Sequence, residues 1–341
     1  MSQIIPKKII AVEHNWQKEL AMAFSDPVAL LSYLQLDPSE FAEDIQARAL
    51  FPLRVPRPFA ARMAKQNPND PLFKQVFTSR EEFLSAPEYS PDPLEEHGNG
   101  QPGLLHKYQS RLLMLVRGGC AVNCRYCFRR HFPYADNHLN RHEWQSALDY
   151  IRQDQQLNEV IYSGGDPLMA KDEFLQWMTE QLAAIPHITR LRIHTRLPVV
   201  IPSRITDELL HWLTSTRLKP VMVLHINHAN EIDQALGQAL NKLRQAGVTL
   251  LNQAVLLKDI NDQAEQQVAL SEALFAHGVL PYYLHVLDKV EGASHFDLAE
   301  HQARSLMAEL IKRLPGYLVP KLVREIAGQP GKTPIDLSLA P

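Results

Sequence analysis

The feature that most constrains the fold is a regular alternation of apolar strands and amphipathic helices beginning after residue 103. Asn140 and Glu143 form a capping-box-like start for a helix from about residue 141, and another helix is predicted near 172–184. A third helix has Asn230 as its predicted N-cap and Gly247 as its end. The apolar runs predict six strands, at residues 111–116, 159–163, 188–195, 220–226, 248–257 and 279–286. The alternation predicts an α/β fold with a parallel sheet, either doubly wound or curved into a barrel.

Before this alternation, residues 1–100 are predicted to form a mainly helical segment, with short helices at 16–24 and 27–36. Residues 87–103 are rich in proline, glycine and acidic residues, which indicates a linker. We therefore predict three parts: an N-terminal segment (1–100), an α/β core (101–315) and a C-terminal segment (316–341).

Composition limits the classes of partner. The formal charge of −3 gives no whole-protein field for nucleic acid or an anionic membrane. No apolar stretch approaches the length of a membrane span, and the N-terminus has no secretory apolar core. We expect a cytoplasmic protein that binds neither nucleic acid nor membrane.

All three cysteines, Cys120, Cys124 and Cys127, lie within eight residues and directly follow the first predicted strand. An odd number at this spacing is not a disulfide framework, and it suits a reducing compartment. One interpretation is structural zinc with His131 as the fourth ligand. The other is a [4Fe–4S] cluster with three protein ligands and one open iron. The spacing favours the cluster, because structural zinc sites usually pair two cysteine knuckles and this sequence has only one.

Polar residues stand where the later strands end, and the carboxyl ends of parallel strands carry the reactive groups of such folds. A glycine pair after the second strand permits close approach of a ligand, although an ordinary turn is the favoured explanation when the pair is taken alone. The polar residues are either hydrogen-bonded structural residues or site residues, and the basic run beside the cysteines is either charge compensation or a solvated face. The residues concerned are Ser163, Gly164, Gly165 and Asp166; His194, Arg196, His225, Asn227, His228, Asn252 and Gln253; and Arg125, Arg129, Arg130 and His131.

The cysteine spacing CxxxCxxC, with the aromatic Tyr126 before the last cysteine, resembles the signature of radical S-adenosylmethionine (SAM) enzymes. This resemblance implies a partial (β/α)6 barrel with a [4Fe–4S] cluster on the cysteines. It also implies that the glycine-rich residues 163–167 hold the amino group of SAM. His194, His225 and Gln253 are then expected among the cofactor-binding residues.

Residues 100–335 resemble the lysine 2,3-aminomutase family. The resemblance is carried by motifs in the same order, at residues 108–111, 127–130, 163–168, 195–200, 227–231, 252–257 and 331–334. A lysine nine residues from the end is usually a tail residue, but the resemblance implies that Lys332 carries pyridoxal phosphate (PLP) and that Arg111 contacts this cofactor. Arg129 would bind the substrate carboxylate and Asp288 the side-chain ammonium of L-lysine. Glu325 stands where the family has a second aspartate, so the substrate pose is expected to differ in detail.

The chain resembles the short bacterial form that makes (R)-β-lysine for modification of elongation factor P. That resemblance implies elongation factor P or its β-lysine ligase as partners, together with a reducing electron donor, and a homo-oligomer is a further expectation. Two rival functions remain. A different radical SAM enzyme would tolerate loss of Lys332, and a non-catalytic zinc adaptor would contain zinc but neither iron nor acid-labile sulfide.

Overall fold

The structure is a computed structural model that describes residues 15–98, 101–137 and 139–338. Nine strands in this part of the chain form one sheet whose spatial order follows the sequence. The strands are β1 (Leu104–Leu105), β2 (Arg111–Arg117), β3 (Glu159–Gly164), β4 (Arg190–Thr195), β5 (Lys219–Leu224), β6 (Thr249–Val255), β7 (Leu280–His285), β8 (Lys321–Arg324) and β9 (Thr333–Pro334).

Strands β2 to β8 are parallel, and the short strands β1 and β9 pair antiparallel at the two edges. All six predicted strands are confirmed, and with them the predicted α/β fold built on a parallel sheet. The prediction missed β8, a seventh parallel strand. With only Leu322 and Val323 buried, it is too short to show a periodic signal.

The helices follow the strands in the alternation that parallel pairing requires. They are α1 (Asn15–Ala21), α2 (Pro27–Leu34), α3 (Ala42–Gln46), α4 (Arg57–Ala60), α5 (Pro71–Val76), α6 (Arg141–Gln153), α7 (Asp172–Ala183), α8 (Leu197–Val200), α9 (Asp207–Thr214), α10 (Gln234–Gln245), α11 (Ala264–Ala276) and α12 (Glu300–Arg313). Helix α6 follows β2, α7 follows β3, α8 and α9 follow β4, and α10, α11 and α12 each follow one later strand. Helices α1 to α5 lie in the described part of the first segment, and its description as mainly helical stays a prediction.

One predicted cap is confirmed and another is wrong. Asn140 caps α6 by accepting from the backbone of Glu143, whose carboxylate accepts from Asn140 N at 2.6 Å. Asn230 does not cap α10: it lies in a short 3₁₀ turn, and the cap is Asp233, whose Oδ1 accepts from Leu236 N at 2.8 Å. The predicted end is confirmed, because Gly247 has a φ of +83° just beyond the helix.

One hydrophobic core joins the sheet, its helices and the N-terminal segment. Every residue of β3 is buried, and the same core includes Leu30 of α2 and Leu72 and Phe73 of α5. The N-terminal helices therefore pack against the α/β core, while the boundaries at 100 and 315 stay predictions. No helix in the described part of the chain combines the length and apolarity needed to cross a membrane.

Candidate active site

A cavity lies at the carboxyl ends of the parallel strands. Its lining brings together every residue to which the family resemblance gave a site role, from the start of β2, the cysteine loop, five of the strand ends and the C-terminal segment. These residues are Arg111, Cys120, Cys124, Cys127, Arg129, Ser163, Gly164, Gly165, Asp166, His194, His225, Gln253, Asp288, Glu325 and Lys332. Their individual roles stay predictions, but their convergence in one place follows from the parallel topology.

The cysteine loop carries three free, half-buried thiols on one wall of this cavity. Burial, with a further contribution from the charge of Cys124, raises the pKa of Cys127 to about 11, so this thiol would be protonated at neutral pH when it is not coordinated. Coordination to a metal centre would favour the thiolates. His131 does not line the cavity, and its Nε2 lies 3.4 Å from the carbonyl of Glu291. Within the described residues, no group of three or more His, Cys, Asp and Glu side chains is arranged around a single metal ion.

The three arginines of the basic run beside the cysteines are buried and paired rather than solvated. Arg125 donates to both carboxylate oxygens of Glu82, at 2.8 and 2.5 Å, and Arg130 donates to the same carboxylate at 2.6 Å. Arg129 donates to Glu96 through Nε at 2.7 Å and through Nη2 at 3.1 Å. Each arginine of the run is thus paired with a carboxylate from the N-terminal segment.

The glycine pair after β3 packs directly on the cysteine loop. Gly164 has a φ of +120°, which favours glycine, and a Cβ on Gly165 would lie 2.6 Å from Gly118 O. The backbone of this turn is therefore held against the residues that precede Cys120.

Asp166 ties β3 to β4. Its carboxylate accepts from Thr195 Oγ1 at 2.8 Å and from the backbone N–H groups of Leu168, Arg196 and Leu197. Burial raises the pKa of Asp166, and these hydrogen bonds oppose the rise. Because both oxygens already have donors, the carboxylate positions the turn, and a direct contact of Asp166 with a cofactor stays a prediction.

Three histidines line the cavity at the ends of β4, β5 and β7. Burial lowers the pKa of His194 and His285 well below the usual range and that of His225 to about 3, so all three imidazoles are neutral. Gln253 Nε2 lies 2.8 Å from His225 Nε2. In the described part of the chain, His194 Nε2, Gln253 Oε1 and His285 Nε2 are buried and have no hydrogen-bond partner. Such atoms suit a bound ligand that supplies the missing partners.

His285 was missed by the sequence analysis, although it carries the same signal as His194 and His225, namely a histidine at a strand end. Other strand-end residues have structural roles. Asn252 exchanges two hydrogen bonds with the backbone of Ile226, and His228 Nδ1 accepts from Asn230 N. The hydrogen bonds of Asn252 and His228 therefore favour a structural role for these two residues over a role in the site.

Arg196 lies behind the cysteines and contacts a thiol directly. Its Nη1 donates to Cys124 Sγ at 2.8 Å, while Nη2 donates to Gln75 Oε1 at 2.8 Å and to Glu231 at 3.1 Å. Hydrogen bonds to a ligand sulfur are one means by which proteins tune the reduction potential of an iron–sulfur cluster.

The lining of the cavity also includes the predicted cofactor lysine. Lys332 Nζ donates to Glu325 Oε2 at 2.6 Å, and Tyr108 donates to the other oxygen of this carboxylate at 3.4 Å. The guanidinium of Arg111 lies over the ring of Tyr108, 4.0 Å from its centroid. Glu325 is thus the partner of Lys332 in this structure.

Asp288 is a further acid of the cavity whose pKa is raised. Burial raises the pKa of Asp288 to about 7, with a further contribution from the charge of Glu325, which outweighs the opposing charge of Lys332. A carboxylate with this environment gains from a cationic ligand, because the ligand's charge would offset the cost of burial.

The chain is similar to one known protein family and to several known proteins. Residues 114–269 match the Radical SAM superfamily. The chain is 57% identical over 326 residues to the L-lysine 2,3-aminomutase of Escherichia coli strain K12, with 95% of each chain covered. It is 56% identical over 333 residues to the enzyme of the same name from Haemophilus influenzae, which covers 97% of this chain and 98% of that one.

More distant proteins also match. The L-lysine 2,3-aminomutase of Clostridium subterminale is 35% identical over 327 residues, which cover 94% of this chain and 78% of the relative. Among solved structures, a radical SAM methyltransferase from Sphaerobacter thermophilus matches with a TM-score of 0.44 and 14% identity, over 65% of this chain and 68% of that chain.

Proposed function

The chain belongs to the L-lysine 2,3-aminomutase family of the radical SAM superfamily, and from this we propose that it moves the 2-amino group of L-lysine to C3, forming (R)-β-lysine. This reaction is an isomerisation. The observation that carries the proposal is one cavity lined by three cysteines, by a lysine that can bind an aldehyde cofactor, and by a buried carboxylate suited to a cation.

The residues of the cavity fit the [4Fe–4S] cluster, SAM and PLP of this family. Three thiols on one loop can ligate a cluster, and the buried unpartnered atoms of His194, Gln253 and His285 can bind polar groups of the cofactors. When bound, the cluster and SAM supply one-electron chemistry that starts a radical reaction, and PLP supplies a conjugated ring that stabilises an unpaired electron.

Lys332 and Glu325 form a proton-transfer pair. An amine must be neutral to attack an aldehyde, and Glu325 Oε2, 2.6 Å from Lys332 Nζ, can accept its proton. After Lys332 is engaged and Glu325 has passed this proton to solvent, the Glu325 carboxylate is ionised and no longer pairs with Lys332. It can then share with Asp288 the positive charge of the substrate's side chain.

Substrate selection follows from opposite charges in one cavity. Arg129 carries the cation that suits the α-carboxylate, and Asp288 carries the anion that suits the ε-ammonium. A substrate without the α-carboxylate would not balance the excess positive charge of Arg129 and Lys107 over Glu96, and one without the ε-ammonium would leave Asp288 without a cation. Either loss costs more than a missing apolar contact. Charge complementarity is thus the physical reason for assigning Arg129 and Asp288 to the two ends of the substrate.

We also propose the finer assignments that the resemblance suggests. The product would serve the modification of elongation factor P in the cytoplasm, with this factor or its β-lysine ligase as a partner and a separate protein as the electron donor. The near-complete match with the Escherichia coli relative, over 95% of both chains, supports the comparison with the short bacterial form.

The test is an anaerobic product assay on protein reconstituted with cluster and PLP. L-lysine, SAM and a strong reductant are supplied, and β-lysine is measured by mass spectrometry after chiral separation. Lys332→Ala should abolish β-lysine and PLP binding. The matched control Lys321→Ala changes an exposed lysine outside the cavity and should keep both.

The outcomes separate the parts of the proposal. Absence of β-lysine with continued formation of 5′-deoxyadenosine would refute free lysine as the substrate while leaving the radical chemistry intact. Full activity of Lys332→Ala would refute the assignment of this lysine.

A further inference from the structure

Glu96 reaches the active-site cavity from the segment that the sequence marked as a linker. The segment is fastened across the site, because Ser90 exchanges backbone hydrogen bonds with Lys289 and Glu291. Asp92 Oδ1 then accepts from Glu96 N at 2.8 Å, which fixes the backbone at Glu96 itself. Glu96 therefore lies on an ordered segment, residues 90–96, which we call the strap.

The carboxylate of Glu96 is shared by two cations. It accepts from Arg129 Nε at 2.7 Å and Nη2 at 3.1 Å, and Lys107 Nζ lies 2.9 Å from its Oε1. Glu96 is only 4% exposed. Burial alone would raise the pKa of Glu96, but the charges of Arg129 and Lys107 outweigh it and bring the pKa to about 2. Glu96 is thus ionised whenever the protein is folded at neutral pH.

The same contacts orient the guanidinium of Arg129. Glu96 takes the edge formed by Nε and Nη2, while Nη1 lies 3.2 Å from Ser163 Oγ and 3.3 Å from Gly164 O. A guanidinium has a second edge, formed by Nη1 and Nη2, which can meet another carboxylate. Because Lys107 balances Glu96, the three side chains together keep one net positive charge for that second carboxylate.

We propose that Glu96 is a positioning residue that fixes Arg129 for the α-carboxylate of the amino-acid substrate. The inference rests on the proposed function, since it takes Arg129 as the group that binds this carboxylate. Glu96 does not touch the substrate. It acts by holding the guanidinium plane and by keeping Lys107 beside it, so that one edge of Arg129 is presented to the cavity.

The test compares two ligands that differ only in the group that Arg129 would bind. L-lysine and 1,5-diaminopentane are titrated calorimetrically into anaerobic holoenzyme without reductant, so that no turnover occurs. The variants are Glu96→Gln, which removes the charge, and Glu96→Asp, which keeps it with a shorter reach. The matched control is Glu95→Gln, which changes the exposed neighbouring carboxylate.

Glu96→Gln should weaken L-lysine binding by about tenfold or more, because hydrogen bonds to charged groups contribute about 1.5–3 kcal/mol. Binding of 1,5-diaminopentane should stay within about twofold of wild type, and Glu96→Asp should recover part of the lysine affinity. Glu95→Gln should bind both ligands as wild type does.

Three outcomes would overturn the inference: unchanged lysine binding, tighter lysine binding, or an equal loss for both ligands. Tighter binding would mean that Glu96 competes with the substrate carboxylate, and an equal loss would mean a general structural role. If wild-type protein forms no β-lysine, the proposed function fails, and the difference between the two ligands still decides the role of Glu96.

Discussion

Glu82 is the shared partner of two buried arginines in the cysteine loop, and its removal gives the sharpest test of how this loop is held. Its carboxylate accepts three hydrogen bonds from Arg125 and Arg130, at 2.5–2.8 Å. The three side chains are at most 1% exposed. Glu82→Gln keeps the shape of the side chain but leaves two buried guanidinium groups without a counter-charge.

Breaking a buried ion pair by removing one partner costs about 3–5 kcal/mol. Glutamine can still accept one hydrogen bond, so we expect the lower end, about 3 kcal/mol, or roughly a hundredfold in the unfolding equilibrium constant. With a urea dependence near 3 kcal/mol per M, the unfolding midpoint would fall by about 1 M.

The assay is anaerobic urea unfolding followed by tryptophan fluorescence, together with iron and sulfide content after reconstitution. Glu81→Gln is the matched control, since Glu81 is exposed, and it should lie within about 0.5 kcal/mol of wild type. Iron content should fall for Glu82→Gln alone. If the two variants unfold at the same urea concentration, the triad does not stabilise the loop and this reasoning is wrong.

Two further predictions follow from the cavity. Because the pKa of Asp288 is about 7, protons compete with the substrate ammonium for its carboxylate, and the KM for L-lysine should rise about tenfold between pH 8 and pH 6. Asp288→Asn should remove most of this dependence of KM on pH. A wild-type KM that falls with decreasing pH would contradict the prediction. Gly165→Ala should destabilise the protein by about 1–3 kcal/mol in the same unfolding assay, because the added methyl meets backbone oxygen of Gly118 at 2.6 Å. Gly316→Ala, whose methyl would meet no described heavy atom within 4 Å, should stay near wild type, and equal stability of the two variants would refute the close contact.

The sequence predicted the parts of the site that follow from strand order. Parallel strands bring their carboxyl ends to one edge, so residues as distant as Cys120, His194 and Asp288 were expected to meet before their contacts were known. The same rule also predicts His285 as a site residue, since it ends β7. The signal for His285 was therefore present in the sequence, although the prediction did not include it.

The role of Glu96 could not be predicted from the sequence. It lies in an acidic, proline-rich segment beside Glu95, which is exposed, and no local pattern separates the two glutamates. What distinguishes Glu96 is burial between Arg129 and Lys107, which depends on how the strap crosses the site. Pairing between distant segments leaves no local pattern, and the same holds for β8, whose place in the sheet depends on β7.

The N-terminal segment contributes to the geometry of the cysteine loop. A buried loop must satisfy its backbone polar groups, and here the partners come from remote residues: Asn123 N donates to Arg54 O at 3.1 Å, and Arg125 N donates to Gln75 O at 2.9 Å. The motif's own residues supply the thiols but not these acceptors. The spacing of the cysteines in the cavity is therefore set jointly by the loop and by a segment outside the matched residues 114–269, and the proposed cluster-binding site depends on the whole core.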